Sequence, residues 1–397
     1  MLVAAEASGD ALGAQLAQAL KDRLGPDNVR FVGVGGVQMA REGVNSPFDI
    51  GQLSVLGLFE GLMAYPRVRA RVKDTLALAE REHPDIAVLI DSWGFTLRVA
   101  QGLKQRAPNL PIVKYVAPQV WASRPGRART LAASVDHLLS INAFDAPYFE
   151  REGLKTTFVG APALARDLSD VDGARFRRTI DAAPDAPILL VLPGSRPAEI
   201  ARMTPPFEAA VDILKAGRPD LQVVIPVAAT VAEAVKAKVA GWSHPVRLVT
   251  DETLKYDAMK AATVALACSG TVTTELALAG CPMVVAYKIG PITYALLKRL
   301  IRTPYITLFN IAAGRLVAPE LIQHDCTGPA LAKALAERLD DAGLRTRQIE
   351  AQNAALETMG RGGGNPSEKA AKVIAEMLEA IRPPNDGKPR QRQPHPR

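Results

Sequence analysis

The stretch at residues 161–196, APALARDLSDVDGARFRRTIDAAPDAPILLVLPGSR, divides the chain into two halves. Its first part is polar and contains no run typical of a strand. Ile188–Leu192 then forms a continuous apolar run that leads into a glycine turn. An apolar strand directly after a polar interruption is typical of the start of a second domain. We therefore expect a boundary near residue 170, with domains at 1–170 and 171–382.

Short apolar runs alternate with longer helical stretches on both sides of this boundary. The predicted strands are Met1–Ala4, Arg30–Val34, Ile86–Ile90, Ile112–Val116, Ile188–Leu192, Val223–Pro226, Val246–Val249, Val264–Ala267 and Met283–Ala286. Helical spacing is clear at Ala11–Arg23, Val68–Arg81 and Met203–Lys215, and helices from about Ala330 close the chain. This alternation predicts an α/β fold of two Rossmann-like domains with parallel sheets. In such proteins the ligand lies in the cleft between the domains, outside the carboxyl ends of the strands.

Composition is typical of a soluble globular protein, with 48% hydrophobic and 22% charged residues among 397. The net charge is +7, and residues 383–397 contribute four basic residues and one acid to it. This Pro- and Arg-rich tail is predicted to be disordered. A modestly basic body suits anionic substrates or an anionic membrane surface, and no aromatic-interleaved basic motif supports nucleic-acid binding.

Compartment and metal content are also constrained by the sequence. The start, MLVAAEASGD, is too short and too soon polar for a signal peptide, and no run of about 18 apolar residues occurs. Three cysteines without paired spacing favour a reducing compartment. No zinc spacing and no Asp-x-Asp pair after a strand is present, so we expect a cytoplasmic protein with neither metal nor cofactor.

Two glycine-containing turns follow the first predicted strands. In Glu6-Ala-Ser-Gly-Asp10, either Ser8 or Asp10 is a candidate cap of the next helix, and Gly9 lets the backbone approach a ligand. An ordinary strand-to-helix turn is the alternative. Gly33-Val-Gly-Gly36 lacks the third glycine of a dinucleotide fingerprint, because position 38 is Gln38. A loop that shapes the cleft is favoured over NAD binding.

An acid ends one of the buried strands. Asp91 follows Ile86–Ile90, where a carboxylate is costly to bury unless it has a function or partners. A carboxylate at this place is suited to take a proton from a substrate hydroxyl. The alternative is a capping residue for the helix that follows.

Basic and aromatic residues follow the next strand in Tyr115-Val-Ala-Pro-Gln-Val-Trp-Ala-Ser-Arg124. Arg127 and Arg129 come next. Guanidinium groups suit phosphates because they are planar multiple donors. A solvated basic start of a helix is the alternative.

The second half contains two further strand-end turns. Gly194, Ser195 and Arg196, with Glu199 beyond, free backbone amides beside a positive charge, an arrangement able to hold a pyrophosphate. Ser269, Gly270 and Thr271 lie at the start of a helix, which is a ready anion site. Glu275, one turn later, is placed to accept hydrogen bonds from ribose hydroxyls, and a near-fit to a capping box is the alternative.

Together, these motifs resemble the lipid-A-disaccharide synthase family, glycosyltransferases of the GT-B fold. The resemblance runs from residue 1 to about 380. It is carried by EASGDALGA (6–14), GVGGVQM (33–39), VLGLFEGL (55–62), IDSWGF (90–95), YVAPQVWASR (115–124), LPGSRPAEI (192–200), SGTVTTELAL (269–278), CPMVVAYK (281–288) and NIAAGRLVAPELIQ (310–323). Ala5, Trp93 and Ser123 depart from the usual family residues.

The resemblance implies an inverting transfer of 2,3-diacylglucosamine from its UDP derivative to the 6-hydroxyl of 2,3-diacylglucosamine 1-phosphate. It implies that Asp91 is the general base and that the second domain binds the nucleotide sugar. The nucleotide-sugar residues it implies are Gly194, Ser195, Arg196, Ser269, Gly270, Thr271, Glu275, Asn310 and Glu320. The acceptor-side candidates are Glu6, Ser8, Gly9, Asp10, Gln119 and Arg124.

Acylated substrates imply a peripheral protein on the cytoplasmic face of the inner membrane. Two segments, Leu53–Lys73 and Tyr294–Arg302, combine apolar and basic residues as membrane-surface helices do. A core-packed helix with a solvated face is the alternative for each. The oligomeric state is left open. The competing functions are a UDP-N-acetylglucosamine 2-epimerase, an undecaprenyl-linked transferase, and a non-catalytic nucleotide- or membrane-binding module.

Overall fold

The computed structural model describes residues 1–53, 58–227, 231–290, 294–295, 301 and 303–381, without the side chains of residues 58–64. This part of the chain forms two compact units. The first contains Met1–Val120, Pro125–Val159 and the segment from Asn365 onward. The second contains Trp121–Arg124 and Gly160–Gly364.

The first unit is built on a parallel sheet of six strands in the order β2-β1-β3-β4-β5-β6. The strands are β1 (Leu2–Ala4), β2 (Gly33–Val34), β3 (Ala87–Ile90), β4 (Ile112–Tyr115), β5 (His137–Ser140) and β6 (Thr156–Phe158). Its helices are α1 (Ala7–Leu24), α2 (Val37–Arg41), α3 (Leu58–Glu82), α4 (Trp93–Arg106), α5 (Arg127–Ala132), α6 (Ala146–Glu150) and the last helix of the chain (Pro366–Ile381). Short 3₁₀ turns lie at Pro26–Asn28, Ile50–Leu53 and Ala143–Asp145.

The second unit repeats this plan with a parallel sheet in the order β12-β11-β10-β7-β8-β9. The strands are β7 (Ile188–Leu192), β8 (Gln222–Pro226), β9 (Arg247–Val249), β10 (Val264–Cys268), β11 (Met283–Tyr287) and β12 (Glu320–Ile322). The helices are α7 (Gly173–Thr179), α8 (Pro197–Gly217), α9 (Ala232–Val239), α10 (Lys255–Ala261), α11 (Thr271–Leu278), α12 (Leu308–Ala313), α13 (Gly328–Asp340) and α14 (Ala342–Thr358). The last helix of the chain is therefore α15. Further 3₁₀ turns lie at Pro162–Ala165 and Glu252–Leu254.

Both sheets are buried on their two faces, as continuous apolar strands require. In the first unit Leu89 and Ile112 pack on one face, while Val88 and Val113 pack on the other. Alternate residues of β7 are divided in the same way between two core clusters of the second unit. The predicted α/β class with two Rossmann-like units is confirmed.

The first two strands approach each other unusually closely at a glycine. Gly33 has φ +154°, and a Cβ atom built on it would lie 1.7 Å from the carbonyl oxygen of Leu2. Only a residue without a side chain is accommodated there. This close contact aligns β2 beside β1 and begins the glycine-rich segment that leads into α2.

The division into units differs from the boundary expected near residue 170. The chain passes from the first unit to the second between Val159 and Gly160, and α15 packs on α1 in the first unit. Ala370, Ala371 and Ile374 of α15 are buried there. The functional roles of the two domains stay a prediction, and the tail at 383–397 lies outside the described residues.

No helix in the described parts of the chain has the length and apolar character needed to cross a bilayer. Of the two proposed membrane segments, Tyr294–Arg302 lies largely outside the described residues. In Leu53–Lys73, residues 54–57 and the side chains of 58–64 lie outside them too. Arg67, Arg69 and Lys73 are exposed on α3.

Candidate active site

The carboxyl ends of β1, β3 and β4 lie side by side in the first unit. β3 pairs with both neighbours, and Ile90 is in register with Ala4 and with Tyr115. The turn after β1, Asp91 after β3, and the segment that contains Gln119 after β4 therefore begin at one edge of one sheet. This is the edge at which open parallel sheets bind ligands.

Asp91 and Ser92 form a strained turn between β3 and α4. Their φ angles are +48° and +40°, which are sparsely populated for residues with side chains. The Thr96 hydroxyl donates to the carbonyl oxygens of Asp91 at 2.7 Å and Ser92 at 3.0 Å. The Asp91 carboxylate is half-buried, and no hydrogen bond or ion pair from the described residues engages it. Such strain is frequent at functional sites, so the turn is a credible place for a catalytic group.

A buried lysine lies beneath this turn, and sequence reasoning did not identify it. Lys114 on β4 is only 3% exposed. Its Nζ donates to the Asp91 carbonyl oxygen, and also to Thr96 Oγ1 at 2.9 Å. Burial lowers the pKa of Lys114 from 10.5 to about 7, and the charge of Asp91 opposes the shift. The sequence feature that could have pointed to Lys114 is a lysine inside an otherwise apolar strand.

Asp10 does not cap its own helix, contrary to expectation. Its buried carboxylate instead caps α2, because it accepts hydrogen bonds from the backbone N–H groups of Gly36 at 2.7 Å, Gln38 at 2.9 Å and Met39 at 3.0 Å. The partners lie 26 to 29 residues further along the chain, which local spacing does not reveal. Asp10 therefore organises the glycine-rich segment between β2 and α2.

The remaining residues of the first turn have different environments. Ser8 is also not a cap, because it lies inside α1, whose N-cap residue is Glu6. Glu6 and Ser8 are exposed, whereas Gly9 is buried. A Cβ atom on Gly9 would lie 3.3 Å from the Cβ of Ala4, so Gly9 serves close packing against β1 rather than an open approach to a ligand.

The segment after β4 is also strained. Val116 has φ +73° and Arg124 has φ +53°, and the first is a genuine outlier for a β-branched residue. Gln119 and Arg124 are exposed. The Arg127 guanidinium lies 5.1 Å from the ring centroid of Trp93, which joins the start of α5 to the start of α4.

In the second unit the turns after β7 and β10 are neighbours, because Leu192 is in register with Ala267. Gly194 has φ +121°, and α8 begins at Pro197. The Glu199 carboxylate accepts hydrogen bonds from Arg196 Nη1 at 2.9 Å and from the Ser195 backbone N–H at 3.3 Å. A carboxylate of the protein thus occupies the donors predicted to hold a phosphate.

The turn after β10 has its Ser269 backbone N–H bonded to the carbonyl oxygen of Ala286 at 3.2 Å. Ser269 is half-buried, and Gly270 and Thr271 are exposed at the start of α11. Glu275 is not a capping residue. Its carboxylate accepts hydrogen bonds from Lys255 Nζ at 2.7 Å and from the Tyr256 hydroxyl at 2.8 Å. Burial first, and then this hydrogen bond, raise the pKa of the Tyr256 hydroxyl.

Asn310 and Glu320 bind each other and nearby backbone. Asn310 is fully buried, and its Nδ2 donates to Glu320 Oε1 at 2.8 Å. Glu320 also accepts from the backbone N–H groups of Ile306 and Thr307, both at 2.9 Å, just before α12. These contacts give both residues a role in shaping the chain around α12, and their binding role stays a prediction.

No cluster of three or more His, Cys, Asp or Glu side chains within the described ranges is arranged to hold a metal ion. The sites of interest are therefore the two strand-end edges, one in each unit. One carries a strained acid above a buried lysine, and the other carries two adjacent turns that lead into α8 and α11.

A sequence model of the family described as lipid-A-disaccharide synthetase matches residues 1–375. The chain belongs to the lipid-A-disaccharide synthase family. A lipid-A-disaccharide synthase of Rhodospirillum centenum is 43% identical over 377 residues, which cover 95% of this chain and 94% of that protein. The family resemblance predicted from the sequence motifs is confirmed.

Solved structures that resemble the chain are GT-B proteins. A UDP-GlcNAc 2-epimerase from Neisseria meningitidis, solved with UDP-GlcNAc, has a TM-score of 0.57 at 12% identity and covers 96% of this chain and 98% of its own. A glycotransferase of kitacinnamycin has a TM-score of 0.60 at 16% identity, covering 95% and 98%. At these identities the likeness concerns the fold alone, and it confirms the GT-B architecture of this lipid-A-disaccharide synthase family member.

Proposed function

We propose that this chain transfers 2,3-diacylglucosamine from its UDP derivative to 2,3-diacylglucosamine 1-phosphate. The products are a β-1,6-linked disaccharide and UDP, in lipid A biosynthesis. Membership of the family supports the reaction class. The observation in the structure that carries the proposal is the half-buried carboxylate of Asp91 in its strained turn, which accepts no hydrogen bond from the part of the chain that the structure describes.

Asp91 acts as the general base in this mechanism. It removes the proton of the acceptor 6-hydroxyl as that oxygen attacks the anomeric carbon of the donor. The bond from the anomeric carbon to the diphosphate breaks in the same step, and its electron pair leaves on UDP. Attack from the face opposite the leaving group inverts the configuration. A positioned base contributes about 10²–10⁴-fold to the rate of such a step.

The second unit stabilises the leaving diphosphate. Arg196 supplies charge, and Gly194, Ser195, Ser269, Gly270 and Thr271 supply donors at two adjacent helix starts. Glu199 must release Arg196 when the diphosphate binds, which exchanges one anion for another at the same donors. Glu275, which is held by Lys255 and Tyr256, accepts hydrogen bonds from the ribose hydroxyls.

We also propose that the protein is peripheral on the cytoplasmic face of the inner membrane, because both substrates carry acyl chains. Arg67, Arg69 and Lys73 on α3 provide exposed positive charge, and each contributes on the order of 1 kcal/mol near an anionic surface. Arg71 is occupied by Asp74 at 3.1 Å and lies 5.1 Å from the Phe48 ring centroid.

The membrane proposal is tested by sedimentation with vesicles. Replacing Arg67, Arg69 and Lys73 with Glu should reduce binding to anionic vesicles with little change in thermal stability. Binding should also fall as salt rises, because these charges are exposed. Equal binding to neutral and anionic vesicles would show that electrostatics is not responsible.

The reaction is tested by incubating the protein with UDP-2,3-diacylglucosamine and the acceptor, followed by mass detection of the disaccharide. Asp91→Asn should lower turnover about 10²–10⁴-fold and leave UDP affinity unchanged. Asp27→Asn, at an exposed acid of the same unit, is the matched control. If Asp91→Asn turns over like the wild type, Asp91 is not the base.

An arm of the assay with UDP-N-acetylglucosamine alone separates the competing functions. An epimerase converts this water-soluble nucleotide sugar without an acylated acceptor, whereas the proposed transferase leaves it unchanged. Epimerised product in that arm, with no disaccharide in the other, contradicts the proposed reaction. The absence of either product together with measurable UDP binding favours a non-catalytic module.

A further inference from the structure

Lys114 occupies one of the least favourable places in the protein for a charged group. It lies at the centre of β4, in register with Leu89 on β3 and Leu138 on β5, both fully buried. Burying an ammonium group is costly unless hydrogen bonds compensate for the lost hydration. An apolar residue would satisfy the sheet equally well, so packing does not explain a lysine at this position.

The ammonium group of Lys114 contacts the turn that carries Asp91. It donates to the Asp91 carbonyl oxygen and to Thr96 Oγ1, and the Thr96 hydroxyl itself donates to the same carbonyl oxygen at 2.7 Å. Two donors, one from β4 and one from α4, thus converge on a single backbone oxygen. Among the described residues, Asp91, just after β3, is the charged group that acts on Lys114.

That carbonyl oxygen belongs to the peptide group between two residues with positive φ, Asp91 at +48° and Ser92 at +40°. This backbone relaxes toward commoner angles unless its surroundings hold it. The backbone angles of Asp91 set the direction of its Cα–Cβ bond. The hydrogen bonds to the Asp91 carbonyl oxygen, which hold that backbone, therefore also fix the direction in which the side chain leaves it.

We propose that Lys114 is a positioning residue, whose Nζ donates to the Asp91 carbonyl oxygen and thereby keeps the Asp91 carboxylate placed to accept the acceptor proton. The proposal rests on the proposed function, in which Asp91 is the base. It assigns Lys114 no contact with either substrate. The need to hold the Asp91 turn explains why a lysine is buried within β4.

The principal test is the Lys114→Met variant in the disaccharide assay. We expect kcat to fall about 10- to 100-fold, as displacement of a reacting group by about 1 Å does. The KM for the donor and the affinity for UDP should stay within about twofold of wild type. Leu138→Ala, a cavity variant at the cross-strand neighbour, is the matched control and should keep kcat while losing thermal stability.

Chemical rescue separates positioning from general damage. Lys114→Ala leaves a space in which ethylammonium is able to replace the lost group, so added ethylammonium chloride should raise kcat of this variant and not of Asp91→Asn. Wild-type kcat in Lys114→Met, or an equal loss of kcat in Leu138→Ala, overturns the positioning role. Neither result affects the proposed function, which fails only if the wild type makes no disaccharide.

A crystal structure of Lys114→Met provides a readout that does not depend on turnover. We expect Asp91 and Ser92 to leave the left-handed region or to be disordered in that structure. If Asp91 keeps φ near +48°, Lys114 does not hold the turn and the proposal is wrong.

Discussion

Replacing Lys114 by Met should change how the stability of the first unit depends on pH. In the wild type the folded chain loses the Lys114 proton at a pKa of about 7, whereas the unfolded chain keeps it up to about 10.5. Between these values the unfolded state binds more protons, so the free energy of unfolding rises with pH. Methionine removes this contribution and is a similarly long, unbranched side chain.

The lowered pKa sets the magnitude. The difference between 10.5 and about 7 corresponds to an upper limit of about 5 kcal/mol for the cost of burying charged Lys114. Between pH 7 and pH 9, only part of this cost appears as a change in the free energy of unfolding. Proton linkage gives about 2 kcal/mol for that part. The free energy of unfolding of the wild type should therefore rise by about 2 kcal/mol relative to that of Lys114→Met across that interval.

The assay is urea unfolding at pH 7, 8 and 9, followed by the fluorescence of Trp93, which reports on the first unit. Trp121 and Trp242 are replaced by Phe in every protein compared. Lys73→Met, at an exposed lysine, is the matched control and should show no pH-dependent difference from wild type. A difference between Lys114→Met and wild type that is constant from pH 7 to pH 9 would refute the assignment of a buried, readily deprotonated ammonium group.

Three further predictions concern other parts of the chain. Glu275→Ala should weaken UDP binding about 10- to 150-fold in calorimetry, because it removes a charge-assisted hydrogen bond worth about 1.5–3 kcal/mol. Unchanged affinity would place the nucleotide elsewhere. Gly33→Ala should destabilise the first unit by at least about 3 kcal/mol in urea unfolding, because the new Cβ atom would overlap the Leu2 carbonyl oxygen. A small effect would contradict that close contact. Asp257→Ala should destabilise the second unit by about 2 kcal/mol because it removes a buried carboxylate bonded to Arg175 and to a backbone N–H. Arg175→Ala should cost at least as much, since it leaves the buried Asp257 carboxylate without its charge partner, and a smaller loss in urea unfolding would contradict that reasoning.

Most of the central strands were predictable because each is an apolar run between turn signals. Ile188–Leu192 appears with the predicted bounds, and the strand predicted at Ile86–Ile90 appears as Ala87–Ile90. Three strands were not predicted: β6 and β12, which lie at sheet edges, and β5 (His137–Ser140), an interior strand with only two strongly apolar residues, Leu138 and Leu139. Thr156–Phe158 and Glu320–Ile322 are three half-buried residues each, so neither has an apolar pattern to detect. Arg30–Val34, predicted as a full strand, pairs only at Gly33–Val34.

Residues of the candidate site were predictable where their signal is local. Asp91 was predicted because an acid ends an apolar strand; the structure places it in a strained turn at the expected edge, and its role stays a prediction. The hydrogen-bond partners of Asp10 are remote in sequence, so its capping of α2 could not be predicted from local spacing. Glu199 was noticed without a role, since its bonds to Ser195 and Arg196 depend on how tightly the turn closes.

The return of α15 to the first unit has a consequence for how the protein is made. A ribosome releases the second unit, up to Gly364, before it releases the helix that completes the first. Until then the nascent first unit lacks the helix that packs on α1 and completes the core cluster shared by Leu16, Leu20, Ala371 and Ile374. The half of the chain that is translated first therefore finishes folding last. A premature stop before Pro366 would release a protein with one completed unit and one exposed apolar surface, a substrate for chaperones and proteases.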